Sequence, residues 1–378
     1  MTTTLDPAAL WRAELVKTLV ARGVLTDPVW REAFATVPRE VFVPRFARRE
    51  QGGQLVHYDH AAEGGTVDFF AAVYSDTSLI TRFNAAGVAT SSSSQPSLMA
   101  IMLDRLDIRD GHTVLEIGAG TGYNAALLTH RLGNEAVTTI DVDPDIVLEA
   151  EYALTHAGYH PTVVCGNGAD GVLIRAPFDR IIATCGVSRI PKAWITQTKP
   201  GGRILANISL GLIALTVTTD GTAIGQFDTE SAAFMPLHDE PADTTPPLRD
   251  ILAMTRGDGV TRRTTTRPQL DYPDSHPVID FLVALILPGI CHTLLPLDPP
   301  TYVLVDPVSG SWARAYADGH TAVVTEHDPR VLWDELSAVI TEWVNLGQPE
   351  ASDYSLTIDA AGTHHLHHPE SGWTLALP

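Results

Sequence analysis

The sequence predicts an α/β protein: a doubly wound, mostly parallel sheet followed by a smaller C-terminal α+β domain. Three observations carry this. Short continuous apolar runs alternate with helical stretches between residues 113 and 208, as in a parallel sheet buried on both faces. A glycine-rich turn follows the first of those runs. The rhythm is lost after Leu215, and a linker rich in Asp, Thr and Pro (239–247) leads into a region of different character. The expected division is an N-terminal helical and lid segment over 1–85, a central domain over 86–238 and a C-terminal extension over 248–378.

Taken in order, Leu10 to Arg22 repeats apolar residues at helical spacing and Gly23 stands where a helix stops. A second short helix is expected from Pro28 to Ala35. The stretch from Gln51 to Thr66, with Gly52, Gly53, Gly64 and Gly65, reads as a loop that covers a site, and His57 and His60 lie within it. The central strands are Thr113 to Ile117, Val137 to Val142, Thr162 to Cys165, Phe178 to Thr184 and Gly202 to Ile208. In the extension, strands are expected at 302–305, 312–316, 322–325, 355–358 and 373–377. A helix over 329–346 places Leu332, Leu336, Val339 and Trp343 on one apolar face, read as packing on the small sheet.

Composition narrows the function. The 378 residues carry 25 Lys plus Arg against 45 Asp plus Glu, a net charge of −20, the wrong sign for a surface that tracks a phosphate backbone. Nucleic acid is therefore not an expected partner. The three cysteines, Cys165, Cys185 and Cys291, form neither a disulfide framework nor a thiolate zinc site, which fits a reducing compartment. The N-terminus shows no secretory signal, and the most apolar stretch, 278–290, is interrupted by Asp280, Pro288 and Gly289. A cytoplasmic location without membrane contact follows. His364, His365, His367 and His368 cluster without a completing ligand, so no metal is expected.

The strongest local signal is the run Val114-Leu115-Glu116-Ile117-Gly118-Ala119-Gly120-Thr121-Gly122-Tyr123, a strand entering a glycine turn and then a helix. Gly118 and Gly120 are expected to let the backbone turn tightly and approach a ligand. The next strand ends in Asp141, followed by Val142, where nucleoside-binding α/β proteins place an acid that accepts from both ribose hydroxyls. The third strand leads into Gly166-Asn167-Gly168, where an adenine amino group is met. Position 123 is Tyr, so the dinucleotide spacing is absent, and S-adenosylmethionine is favoured over NAD. The expected cofactor-binding residues are Glu116, Gly118, Gly120, Gly122, Asp141, Val142, Asn167 and Gly168.

The order of segments resembles the protein-L-isoaspartate O-methyltransferase family. The resemblance rests on Val37-Pro38-Arg39-Glu40-Val41-Phe42-Val43-Pro44, Val73-Tyr74-Ser75-Asp76, Ser94-Gln95-Pro96, the glycine turn, Phe178-Asp179, Ile190-Pro191 and Gly201-Gly202. It spans roughly residues 10 to 210 and implies a Rossmann-like class I S-adenosylmethionine-dependent methyltransferase acting on an aspartyl or isoaspartyl carboxyl group, with S-adenosylhomocysteine as the product. A carboxylate with an ordinary pKa near ~4 is already ionised at neutral pH, so positioning, without a general base, supplies the catalysis. Ser94 is the expected catalytic residue, orienting the acceptor or the donor. Its other reading is a cap on the helix that begins at Pro96, and the two roles are compatible. Ser93, Gln95 and His57 are expected to position substrate.

Three departures bear on the acceptor. The family's Gly-Asp-Gly is here Gly166-Asn167-Gly168; the signature serine ends a run from Ser91, with Ser97 where an aromatic residue is usual; and roughly 160 C-terminal residues have no counterpart in the housekeeping repair enzyme. The tail resembles that of a subgroup found with ATP-grasp enzymes that cross-link ribosomally made peptides. This implies a cross-linked peptide as partner, methylated on an aspartate and then closing to an aspartimide. General isoaspartyl repair is the alternative, and a binding module without turnover is a further one.

Overall fold

The computed structural model describes residues 7–50, 53–62, 66–237, 248–265 and 276–378. The chain forms two compact units: one of residues 1–186, 190–206 and 214–223, the other of 187–189, 207–213 and 224–378. The linker proposed at 239–247 lies outside the described residues. The division between units instead runs through four strands, β8 (Phe178–Val187), β9 (Thr198–Ile208), β10 (Gly211–Val217) and β11 (Ala223–Ser231).

The first unit opens with α1 (Pro7–Ala21), which ends ahead of Gly23 at φ +73°. α2 (Pro28–Thr36) starts where Asp27 accepts from the Val29 amide at 2.8 Å, with proline at its first position. After the single turn α3 (Arg39–Phe42) come β1 (Arg45–Arg49), β2 (Leu55–Asp59), α4 (Thr66–Val73), β3 (Leu79–Phe83) and β4 (Ala89–Ser93). The four strands make an antiparallel sheet in the order β2-β1-β3-β4. The expected covering loop over Gln51 to Thr66 thus contains a strand, with residues 51–52 and 63–65 outside the described residues. Phe46 on β1 stacks on Tyr58 at 5.0 Å and packs on Phe69, which anchors this hairpin to the core through one of its faces.

The central sheet follows, with α5 (Pro96–Arg105), β5 (Val114–Ile117), α6 (Tyr123–Leu132), β6 (Val137–Asp141), α7 (Pro144–His156), β7 (Thr162–Cys165), β8 (Phe178–Val187) and α8 (Lys192–Thr196). Strand order in this unit is β10-β9-β8-β5-β6-β7, and β8, β5, β6 and β7 run parallel. Every residue of β5 is buried, as expected of a strand covered on both faces.

In the second unit, α9 (Leu248–Met254), β12 (Val260–Thr264), α10 (Pro277–Ile286), β13 (Cys291–Leu295), β14 (Thr301–Val305), β15 (Trp312–Asp318), β16 (Thr321–His327) and α11 (Leu332–Asn345) precede β17 (Ser355–Ile358), β18 (His364–His368) and β19 (Trp373–Ala376). Five strands form one antiparallel sheet in the order β12-β16-β15-β14-β13. Leu332, Leu336, Val339 and Trp343 of α11 are buried, so its apolar stripe is a packing face. β17, β18 and β19 do not join those strands; they continue from β11 in the order β11-β17-β18-β19, with the Phe227 amide donating to Tyr354 at 3.1 Å. Side chains alternate along a strand, so His364 and His368 are buried while His365 and His367 face the other way. Among the described residues no His, Cys, Asp and Glu group could hold a metal, and no helix is long and apolar enough to cross a membrane.

Candidate functional site

The turn after β5 is held by the strand beside it. Ile140 accepts from the amides of Gly118 at 2.9 Å and Ala119 at 3.1 Å, and Asp141 Oδ2 accepts from the Gly120 amide at 3.0 Å. Gly118 adopts φ +91°, and a Cβ there would stand 2.9 Å from Thr184 Oγ1. The gap that the sequence assigned to a ligand is therefore filled by this hydroxyl, which donates to the carbonyls of Ile117 and Gly118. Gly122 is likewise internal, with the Ala150 carbonyl and Leu154 each 3.3 Å from a Cβ at that position. Gly120 is the open one: a Cβ there meets only the Ser92 carbonyl, at 3.8 Å.

Glu116 is fully buried. Its two oxygens accept from Asn124 Nδ2 and Thr139 Oγ1, both at 2.7 Å. It therefore ties β5 to α6 and β6 from within the core. Burial pushes its carboxyl up to about 7, against the opposing pull of the two hydrogen bonds. Asp141 is half-buried at the mouth of the sheet; its Oδ1 accepts only a long 3.3 Å bond from the Asp143 amide, which leaves acceptor capacity toward solvent. Asn167 accepts from the Ala169 amide at 2.9 Å, opening a short 3-10 turn, a task that aspartate performs equally. This accounts for the interchange in Gly166-Asn167-Gly168. Gly168 is buried, and its carbonyl accepts from Trp194 Nε1 at 2.8 Å, a support with no signal in the sequence. Val142 is exposed on the same rim.

The segments 37–44, 73–76 and 94–96 converge on Arg39. This guanidinium is completely buried and donates to the carbonyls of Val73 (2.9 Å), Ser75 (3.1 Å), Thr77 (3.4 Å) and Ser94 (3.1 Å), and to Ser93 Oγ (3.4 Å). Its charge lies 5.8 Å from the Tyr123 ring. Burial lowers its pKa to about 10, so it remains a cation at neutral pH. Beside it Arg12 donates to Tyr74 and Glu40, and Tyr74 donates to Glu40.

Ser93 is buried by its bond to Arg39, and so acts behind the site. Ser94 is half-buried, and among the described residues its hydroxyl makes no hydrogen bond. It does not cap α5: the N-cap is Gln95, and the amide of Ser97 donates to Asp76 Oδ1 at 2.8 Å. Gln95 spends its amide on Ser97 Oγ at 2.9 Å. The structure thus brings the Ser92 carbonyl to the turn at Gly120, with Ser94 two residues further along the chain, whereas His57 lies on β2, across the small sheet. His60 packs against Phe69 at 4.9 Å, as part of the core cover. Sequence reasoning missed Asp76 and Thr184 as supports.

Residues 65–242 match the family model described as Protein-L-isoaspartate(D-aspartate) O-methyltransferase (PCMT). The protein-L-isoaspartate O-methyltransferase of Ignicoccus hospitalis is 34% identical over 193 residues, 50% of this chain and 78% of that one. The enzyme of that name from Methanococcus aeolicus is 34% identical over 227 residues, 59% of this chain and 92% of that one.

The chain belongs to the protein-L-isoaspartate O-methyltransferase family.

It is accordingly an S-adenosylmethionine-dependent methyltransferase. A solved protein-L-isoaspartate O-methyltransferase, 22% identical, superposes with a TM-score of 0.56 over 94% of this chain and 99% of its own. What that match leaves uncovered is far smaller than the region after residue 247, so the likeness in fold extends into the tail. The hairpin of β1 and β2, by contrast, precedes the residues that match the family model.

Proposed function

We propose that this protein methylates the carboxylate of an isoaspartyl residue in a peptide or protein. The observation that supports it most is the convergence on Arg39, which holds the Ser94 carbonyl while, among the described residues, the Ser94 hydroxyl has no hydrogen-bond partner; two residues earlier, the Ser92 carbonyl is the atom nearest the open Gly120. S-adenosylmethionine, when bound, supplies an electrophilic methyl group on a sulfonium. Asp141 would accept from the ribose hydroxyls, Gly120 would let the donor approach the backbone, and Val142, Asn167 and Gly168 would flank the base. Glu116 keeps the turn in register from below.

The acceptor carboxylate arrives ionised. Ser94 would donate to one of its oxygens and leave the other free to take the methyl group, so the contribution is orientation, not proton removal. In the resulting ester, the amide nitrogen of the next residue attacks the carbonyl carbon. The new C–N bond closes a succinimide as the C–O bond breaks, and the amide proton leaves with methoxide as methanol.

A second reading is aspartate methylation in a cross-linked ribosomal peptide with a persisting aspartimide. Offering an isoaspartyl peptide beside a cross-linked aspartyl peptide separates the two. For the first reading, Ser94→Ala should lower the single-turnover rate at saturating S-adenosylmethionine by about one to two decades, since a positioning hydrogen bond is worth about 1 to 3 kcal/mol. Retained cofactor affinity with an undiminished rate would remove Ser94 from the reaction.

A further inference from the structure

The sheet of β1 to β4 packs on the core through Phe46, stacked on Tyr58 and set against Phe69, and borders a cavity of about 340 Å³ to whose lining Phe46 and Tyr58 also contribute. Arg45, Ala47, His57, Asp59, Ile80 and Phe83 border it. The floor is apolar, with Ala47 buried and paired to Ile80 in register. His57 and Phe83 form one wall, their rings 6.2 Å apart at 48°, a spacing at which aromatic side chains interact. Arg45 and Asp59 stand directly opposite each other across β1 and β2, so the rim carries both signs and selects for neither.

Residues opposite one another in a sheet share a face. His57 pairs with Ala47, Ala47 with Ile80 and Ile80 with Ser92, so a single row runs from the cavity to the strand whose carbonyl approaches Gly120. Ser94 follows two residues after Ser92. With strands roughly 4.8 Å apart, the cavity lies about 10 to 14 Å from the acceptor loop, or about three to four residues of extended peptide. Most of its lining comes from the hairpin that precedes the family match.

Resting on the methyltransferase reading above, we propose that this cavity is an acceptor-peptide subsite that takes an aromatic side chain three or four residues from the methylated carboxylate. The size suits one such side chain, the floor removes it from water, and the ring wall stacks against it. The balanced rim leaves the neighbouring charge of the peptide unspecified, so selection is by shape and apolar area.

The test uses the full chain and two sets of isoaspartyl peptides, alike except for phenylalanine or alanine three or four residues before or after the isoaspartate. The expected result is a KM about tenfold lower for the phenylalanine peptide in one of these positions, with kcat nearly equal. In Phe83→Ala that preference should fall to about unity, with S-adenosylmethionine binding retained as evidence of folding. Equal KM values for all peptides with the unaltered enzyme overturn the subsite alone. A preference that survives in a folded Phe83→Ala protein also overturns it, whereas failure to methylate any peptide overturns the methyltransferase reading together with it.

Discussion

Glu116 and Asp141 are both acids at the ends of apolar strands, yet their environments give them different tasks. Sequence places each of them in the turn, but it does not reveal that Asn124 and Thr139 close around Glu116, because that depends on how α6 and β6 approach β5. A carboxyl raised to about 7 from an unfolded value of 4.5 keeps its proton in the native state between those limits, where the unfolded chain has lost it. Stability is therefore unaffected below pH 4.5, falls as pH rises through this window and carries a cost on the order of 3 kcal/mol above it. Glu116→Gln removes the charge; its amide oxygen still accepts from Asn124, and its NH2 donates to Thr139 once that hydroxyl turns to accept. Its denaturation midpoint should match that of the parent near pH 4 and exceed it increasingly up to pH 7.5; a constant difference across this range would contradict the assignment. Asp141→Asn keeps an acceptor for the Gly120 amide and loses the charge. S-adenosylmethionine should bind about ten- to a hundredfold more weakly, a loss of about 1.5 to 3 kcal/mol, read by equilibrium titration. Unchanged affinity would take Asp141 out of the cofactor site.

At the scale of elements, legibility followed burial pattern. β5 to β8 are continuous apolar runs and stand out. β1 reads Arg-Phe-Ala-Arg-Arg and β4 reads Ala-Thr-Ser-Ser-Ser, neither with an apolar alternation, so both are silent in the sequence. The serines of β4 are nevertheless core positions: Ser91 and Ser93 are buried because Thr81 and Arg39 satisfy their hydroxyls. Recognising the three family segments by their order gave no hint that they form one hydrogen-bonded cluster, and Arg39 is the reason they occur together. Lysine has three donors on a point charge and cannot reproduce the planar fan that reaches four carbonyls. Arg39→Lys should therefore cost about 3 to 5 kcal/mol in urea denaturation, through carbonyls left buried without donors, and it should slow methyl transfer as Ser94 loses its anchor. A stability within about 1 kcal/mol of the parent would show that the cluster is dispensable.

For the whole molecule, the composition and the fold class were readable, and the pairing of strands distant in sequence was not. A linker-like composition at 239–247 suggested a clean cut, yet the second unit includes 187–189 and 207–213, and β17 lies beside β11. Such long-range pairing leaves no local trace. Deleting 248–378 removes β17 from β11 and most of the unit's core, exposing a strand edge and apolar surface. The shortened chain should aggregate on size-exclusion chromatography; a soluble monomer with the parent's melting temperature would contradict the division. The central claim is that the chain transfers a methyl group from S-adenosylmethionine to an isoaspartyl carboxylate. It is tested most directly by incubating the full-length protein and S-adenosylmethionine with an isoaspartyl peptide and its aspartyl isomer, followed by mass spectrometry. The account predicts one added methyl group on the isoaspartyl peptide, or loss of water from it as the succinimide forms, with the aspartyl isomer unchanged. Methylation of the aspartyl isomer alone, or of neither peptide, would contradict it.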